Sequence, residues 1–338
     1  MRLALPYSRR PAAGSVARAG VLVAAAGLAC MPPLAGGYSL HLGLETVTLA
    51  LAAMSLGLLV GWGGLVSLGH AAFWGLGAYA AALLSTHIGP WPWLVLPVAA
   101  AVAAGFALAT GIFTLRSHGI FFLMLTLAFA QLAYVLSLQW RGLTNGDNGI
   151  SGIPGLAGFE DHRALYGLAI GFLAAGYGLF SQLVRSPVGQ VLDAARQNEA
   201  RARALGYPVF AYRLAVYALS AALTGIAGAL AAHERGFVHP RDFYWVVSGV
   251  MLVVVLLGGQ RALWGPVIGA SVYIAVESWA SARTEFWNLF LGLLLVAAVL
   301  WGRGGIAGVA GQAWRAASRI QRLALKGTDA GAAGRARV

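Results

Sequence analysis

Ten stretches of this chain are apolar and long enough to cross a bilayer, and that recurrence limits its fold more than any other feature. They lie near residues 18–36, 41–60, 64–86, 91–115, 118–140, 164–184, 212–232, 243–260, 264–281 and 285–301, separated by Pro, Gly or charged residues. A hydrocarbon core about 30 Å thick takes about 20 apolar residues per helical crossing. The sequence therefore predicts an all-α, polytopic transmembrane bundle of about ten segments, with eight to ten as the range. The segment at 64–86 is rich enough in glycine to be re-entrant instead of a plain crossing. Only 10% of the residues are charged, against about a quarter in a soluble domain, so the chain has too little polar surface to cover itself in water.

Charge gives the orientation. With both termini in the cytoplasm, the inside set is Arg2, Arg9, Arg10, Arg18, Arg116, Arg185, Arg196, Arg201, Arg203, Arg213, Arg261, Arg303, Arg315, Arg319, Arg322, Lys326, Arg335 and Arg337. Outside fall Arg141, Arg163, Arg235, Arg241 and Arg283. Lys and Arg are retained on the cytoplasmic side during insertion, so this eighteen-to-five division supports an even-numbered topology. Residues 1–17 then form a cytoplasmic tail, 18–302 the transmembrane domain, and 303–338 a basic cytoplasmic tail expected to lie against anionic headgroups. The formal charge of +12 does not point to nucleic acid, because the arginines sit in short loops and Lys326 is the only lysine. Cys30 is the only cysteine, which excludes an internal disulfide or thiolate cluster. The run from Arg9 to Cys30 has the pattern of a signal peptide, and it reads as an uncleaved first helix because further spans follow.

Two hydrophilic loops interrupt the pattern. Residues 141–163, predicted external, are Gly-rich and carry Asn145, Asp147 and Asn148. Residues 185–211, predicted cytoplasmic, open with Ser186 and Pro187, a helix start in which proline loses no hydrogen bond. Good helix formers follow from Val188 to Leu205, with Arg196, Glu199 and Arg203 spaced to pair along one face. Gly206 is expected to end the helix in a left-handed cap, and Pro208 prevents its resumption. Such an amphipathic helix docks on a cytoplasmic partner through apolar contacts, for which Ala195, Ala202 and Leu205 are available, or is simply a solvated loop helix.

Glu199-Ala200, Ala204-Leu205-Gly206 and Pro208 resemble the coupling loop of ABC import permeases, in the variant found in the branched-chain amino acid permease family. The run from Leu68 to Tyr79, containing Gly69, His70, Gly75 and Gly77, is similar to a signature of that family, as are Gly119–Ala128 and Thr144–Gly155. Gly236–Pro240, Leu257–Gly259 and Gly265–Ala270 complete an ordered set extending from about residue 40 to 302. The resemblance implies a non-catalytic permease subunit of a bacterial importer in the inner membrane. Its implied partners are a second homologous permease, two cytoplasmic ATPase subunits and a periplasmic binding protein that meets the external loop. It further implies that Arg196, Glu199, Ala200, Leu205 and Gly206 engage an ATPase subunit, and that leucine, isoleucine or valine is the commonest cargo, with urea, amides and aromatic acids carried by relatives.

The residues agree that this chain binds no ATP or Mg²⁺ itself. It lacks a G-x-x-x-x-G-K-[ST] phosphate loop, and its single lysine is in the tail. Polar groups inside spans face a protein interior or a water-filled path, which makes His70 and Gln131, with Glu45 and Glu277, candidates for the translocation route. Gly69, Gly75 and Gly77 join them as positions of close backbone approach. Packing between helices is the commoner role for such residues, and no second ligand stands three or four positions from His70, so no metal site is expected. The alternative function is an ion-coupled secondary transporter, which calls for paired ionisable groups deep in the spans. An intramembrane enzyme is a third reading, and no Gly-x-Ser-x-Gly with a facing histidine supports it.

Overall fold

The computed structural model describes residues 37–283 together with positions 286, 289, 290, 292, 293, 296, 305 and 306. The N-terminal tail, Cys30 and the predicted first span lie outside the described residues, as do most of the predicted last span and most of the C-terminal tail. Ten helices organise the rest: α1 (Gly37–Leu58), α2 (His70–His87), α3 (Pro92–Thr114), α4 (Ile120–Gln139), α5 (His162–Arg185), α6 (Pro187–Gln197), α7 (Glu199–Ala204), α8 (Val209–Arg235), α9 (Trp245–Gly258) and α10 (Gly265–Ser281). A short helical turn at Arg141–Thr144 is left outside this numbering.

Among the described residues, five helical stretches are long and apolar enough to cross a membrane: Gly37–Gly63, Pro92–Thr114, Ile120–Gln139, His162–Arg185 and Val209–Arg235. The first is α1 prolonged by a π-helical turn over Leu59–Gly63. α1 is apolar almost all round and buried from Gly43 to Leu58 apart from Glu45, as expected of a helix enclosed by other helices. α8, at 27 residues, is about 40 Å long. It lies against α1, α2 and α3.

The approach of α2 to α8 is set by glycine. A β-carbon at Gly77 would stand 2.1 Å from the carbonyl oxygen of Gly225, and one at Gly228 would stand 2.2 Å from that of Trp74. No side chain fits there, so the backbones touch, which is how membrane helices gain van der Waals contact without a hydrophobic drive between them.

The predicted crossing at 64–86 begins late. Residues 64–69 are not helical, and α2 starts only at His70. A second irregular stretch follows α8, where the chain turns back into the bundle and lays the Phe243 ring against Gly75. Ser248, in the first turn of α9, then accepts a hydrogen bond from the Ala71 N–H at 2.6 Å, so α9 and α2 begin beside one another inside the protein. Backbone without helical hydrogen bonds is tolerated at such depth where protein covers it.

The loops sort to two ends. Gly64, His118, Asp193, Glu199 and Arg261 gather at one end, where Gly64 packs on the Arg196 stem. At the other, Ala157 bonds to Pro90, and Ile153 to Gly236. This is the division that the orientation argument predicts for inside and outside loops. One departure from an all-α chain occurs at the second end: β1 (Ile150–Ser151) pairs antiparallel with β2 (Phe237–Val238), with Ile150 opposite Val238.

Overpacking a filled core costs about 1–3 kcal/mol, and here the obstacle is backbone. Gly77→Val is expected to lower the yield and melting temperature of detergent-extracted protein sharply. Gly105→Val, with nothing within 4 Å of its β-carbon, is expected to melt with the parent. Fluorescence-detected size exclusion after a heating series reads both.

Candidate functional site

The segment between α5 and α8 is built by local signals. Ser186 is extended (φ −72°, ψ 166°) and Pro187 takes the first helical position of α6. The single helix expected from Val188 to Leu205 is instead two helices meeting at a corner. Asn198 (φ −159°, ψ 99°) leaves the helical region, and its side-chain oxygen accepts the Arg201 N–H at 3.0 Å. An Asn side chain that caps a new helix competes with continuation of the old one. Gly206 then sits at φ +85°, the left-handed stop that the sequence predicts.

Beyond the corner the surface divides. Ala195 and Ala202 pack with Val209 in a small buried cluster, so they are used within the chain and are not available to a partner. Leu205 is 71% exposed and Tyr207 46% exposed, flanking Gly206 at the tip, while Ala200 is exposed on α7. A recess of about 360 Å³ opens behind α6, with Trp62, Asp193, Asn198 and Arg201 among its lining residues.

Glu199 is the electrostatic centre of this end. Its carboxylate accepts from Arg213 of α8 at 2.7 Å, from Arg203 at 2.5 Å, and meets His118 of the turn between α3 and α4 at 3.1 Å. The Arg213 side chain is only 7% exposed and that of Glu199 18%. Burial pushes the Glu199 carboxyl up, but hydrogen bonds and charge from Arg213, with a further contribution from His118, outweigh it and hold the group below its ordinary value. A second carboxylate, Asp193, lies 3.4 Å from both Arg196 and Arg261, with all three groups substantially solvated. Exposed pairs of that kind contribute about 0–1 kcal/mol, whereas breaking a buried pair costs on the order of 3 kcal/mol or more. Arg196 pairs with Asp193 and not with Glu199, and Glu199–Arg213 is the most buried ion pair between this segment and the bundle, beside the apolar contacts of Leu192, Ala195 and Ala202.

The candidates within the spans sit in a different place. His70 has no exposed surface. Its Nε2 lies 2.9 Å from the Ser220 hydroxyl and its Nδ1 3.3 Å from that of Ser67. Ser220 donates its own proton to the Ser55 carbonyl, so the Nε2–H of His70 is the donor to Ser220. Ser55 in turn meets Thr224 at 2.6 Å. The Leu68 N–H donates to Thr126 on α4, against which Gly69 is packed. The polar groups left by the break at 64–69 are thus tied to α1, α4 and α8, with Gly75 and Gly77 in the helix contacts already described. Gln131 is half-buried on α4, and its Oε1 is buried without a hydrogen-bond partner among the described residues.

Near the opposite end, His41 of α1 pairs with the buried Glu234 of α8; Glu45 lies within electrostatic reach of Glu234, and Glu277 within reach of Glu45. Asn145 adopts a left-handed conformation (φ 60°) and donates from Nδ2 to the Gly149 carbonyl. Asp147 and Asn148 are exposed, with Asp147 4.0 Å from His239. Among the described residues no cluster of His, Cys, Asp or Glu suits a metal ion.

Sequence reasoning passed over Arg213, His118 and Glu234 as site residues. Arg213 and Glu234 are charges within the ends of a long apolar helix, a signal that was present, whereas nothing near His118 in sequence points to Glu199. The stripe Arg213, Tyr217, Ser220, Thr224 and Gly228, at spacings of three and four along α8, was equally visible.

The sequence profile of the family described as "Branched-chain amino acid transport system / permease component" matches residues 40–299. A curated relative, the "High-affinity branched-chain amino acid transport system permease protein LivM" of Escherichia coli strain K12, is 30% identical over 292 residues, covering 78% of this chain and 69% of the relative. The protein of the same name from Salmonella typhimurium strain LT2 gives the same figures. No solved structure matches.

Two outcomes follow from the geometry. Ser220→Ala leaves a buried His70 N–H without its acceptor, at a cost of about 1–3 kcal/mol, and is expected to lower the melting temperature of the purified protein. Because the Glu199 carboxyl is held below its ordinary value, its stabilisation is present above the unfolded value of about 4.3 and is lost as pH falls through the folded value. The melting advantage of the parent over Glu199→Gln is therefore expected to be present near neutral pH and to vanish in strong acid, as read by thermal melts across a buffer series.

Proposed function

The chain belongs to the branched-chain amino acid transport permease family, and on that premise we propose that it is a membrane-spanning subunit of a bacterial ATP-driven importer, set in the inner membrane with both termini in the cytoplasm. It acts without catalysis. Two separate ATPase subunits bind and hydrolyse Mg-ATP, a second homologous permease completes the pathway, and a periplasmic binding protein delivers cargo to the external loop at 141–163. The cargo is leucine, isoleucine or valine, in keeping with the branched-chain amino acid transport for which the relatives are named.

The observation that carries this reading is the exposed tip Leu205–Gly206–Tyr207 that follows α7. Large apolar side chains exposed at the loop end of a membrane protein mark a contact surface, and arginines at 201 and 203 beside them favour an acidic groove. Gly206 lets the chain turn at φ +85° with no side chain between the tip and its partner. ATPase closure then moves α6 and α7 as a unit, and their ties to α8 and to the turn between α9 and α10 carry the movement to the membrane helices.

Gly206→Glu introduces both left-handed strain and a carboxylate at the contact. It is expected to reduce uptake of labelled leucine at least tenfold in cells lacking the native copy, with the protein still present in the membrane fraction by immunoblot. Leucine uptake at the parental level in that variant would overturn the coupling role. Competition of the parental uptake by excess valine but not by urea assigns the cargo class, and the reverse pattern moves it to the urea and amide relatives.

A further inference from the structure

The contact of Glu199 with α8 carries a consequence that the coupling role of the loop does not by itself contain. A glutamate on a docking helix is an obvious candidate to meet the docked protein. Here it is turned the other way. Its carboxylate is 18% exposed and takes Arg213, Arg203 and His118 from its own chain, so its acceptor capacity is largely used internally. Arg213, the fifth residue of α8, is buried, and its Nε has no hydrogen-bond partner among the described residues. An arginine is held in such surroundings by its anion, since a buried guanidinium without a counter-charge is strongly disfavoured.

Arg213 also begins the buried stripe of α8. Tyr217 follows one turn on and meets the rings of Phe73 and Phe122 edge-on at 5.3 and 6.3 Å. Ser220 holds His70 and Ser55, Thr224 meets Ser55, and Gly228 touches Trp74. From residue 213 to 224 the helix rises about 16 Å, so a pull applied at Arg213 acts on the same face that grips the break before α2. His118 adds an exposed contact to the turn between α3 and α4, and Asp193 an exposed contact to Arg261; both are weaker because they are solvated.

We infer that the Glu199–Arg213 pair is the internal joint through which movement of α6 and α7 is passed to α8 and so to the irregular segment at 64–69, with Arg213 a positioning residue for transport and Glu199 facing the membrane helices, not the ATPase. The inference rests on the ATPase-driven reading of the chain. A joint that is cut leaves the ATPase subunits attached and turning over while cargo no longer follows. Loss of an ATPase contact instead releases those subunits.

The complete transporter, purified through this chain and reconstituted in proteoliposomes, distinguishes these outcomes with labelled leucine as probe. Arg213→Gln and Glu199→Gln are each expected to co-purify with the ATPase chains and to raise ATP hydrolysed per leucine taken up at least fivefold. Arg213→Lys, which keeps the charge and dispenses with the unpartnered Nε–H, is expected to recover most of the parental ratio. A parental ratio in both glutamine variants overturns the joint, as does loss of the ATPase chains from Glu199→Gln or a failure of Arg213→Lys to improve on Arg213→Gln. If Arg213→Gln is not recovered as folded protein, Glu199→Gln, which keeps the volume and one acceptor, decides by the same ratio. A parental preparation containing no ATPase chain sinks the proposed function itself, a result separable from insensitive variants in an intact complex.

Discussion

A backbone amide that leaves a helix at membrane depth has no water to bond to, and the cost of leaving it bare is several kcal/mol. The break at residues 64–69 starts at the exposed Gly64 and runs into the bundle, where the enclosed stretch Ser67–Gly69 makes that demand and much of the polar sequence answers it. Ser67 receives the Gly69 amide, Thr126 the Leu68 amide and Ser248 the Ala71 amide, while His70 joins Ser67 to Ser220. These groups come from α4, α8, α9 and the break itself. Each helix that supplies a partner is fixed in rotation by doing so, because a hydroxyl moved one position along a helix turns away by about 100°. The irregular stretch thus sets the rotation of its neighbours and is held rigid by them in return.

Glycine does the complementary work of setting distance. Gly77, Gly225 and Gly228 bring α2 and α8 to backbone contact, close enough for the hydroxyls of Ser220 and Thr224 to reach α1 and α2. Larger residues at these points would hold the helices apart and leave the network unsatisfied. Close approach and polar satisfaction are therefore one requirement, and the transmission assigned to α8 depends on it, since a loosely packed helix would absorb a displacement that a tightly gripped one conveys.

Crossing segments were legible because length and apolarity are properties of single stretches. The bounds of α3, α4 and α5 agree with the runs at 91–115, 118–140 and 164–184 to within two residues at each end. The late start of α2 at His70 was less visible: its glycines pointed to irregularity, but where the helix begins is decided by Ser67, Thr126 and Ser248, which lie on three different elements. In the loop at 185–211, Ser186, Pro187 and Gly206 announced their roles through local backbone chemistry, and Asn198 was overlooked as a corner because its neighbours are all good helix formers. The burial of Ala195 and Ala202 and the inward turn of Glu199 could not be read from the loop alone. They follow from Val209, Arg213 and His118, the last of which is 81 positions away from its partner.

The pairing of Ile150–Ser151 with Phe237–Val238 bears on how the molecule assembles. Residues 150 and 238 are brought together across the whole of α5, α6, α7 and α8, and a ladder of two residues on each strand cannot offset the entropy of closing so long a loop. It forms only once those helices stand side by side and have already brought its strands together. This end of the bundle consequently takes shape only after the helices between the two strands have docked.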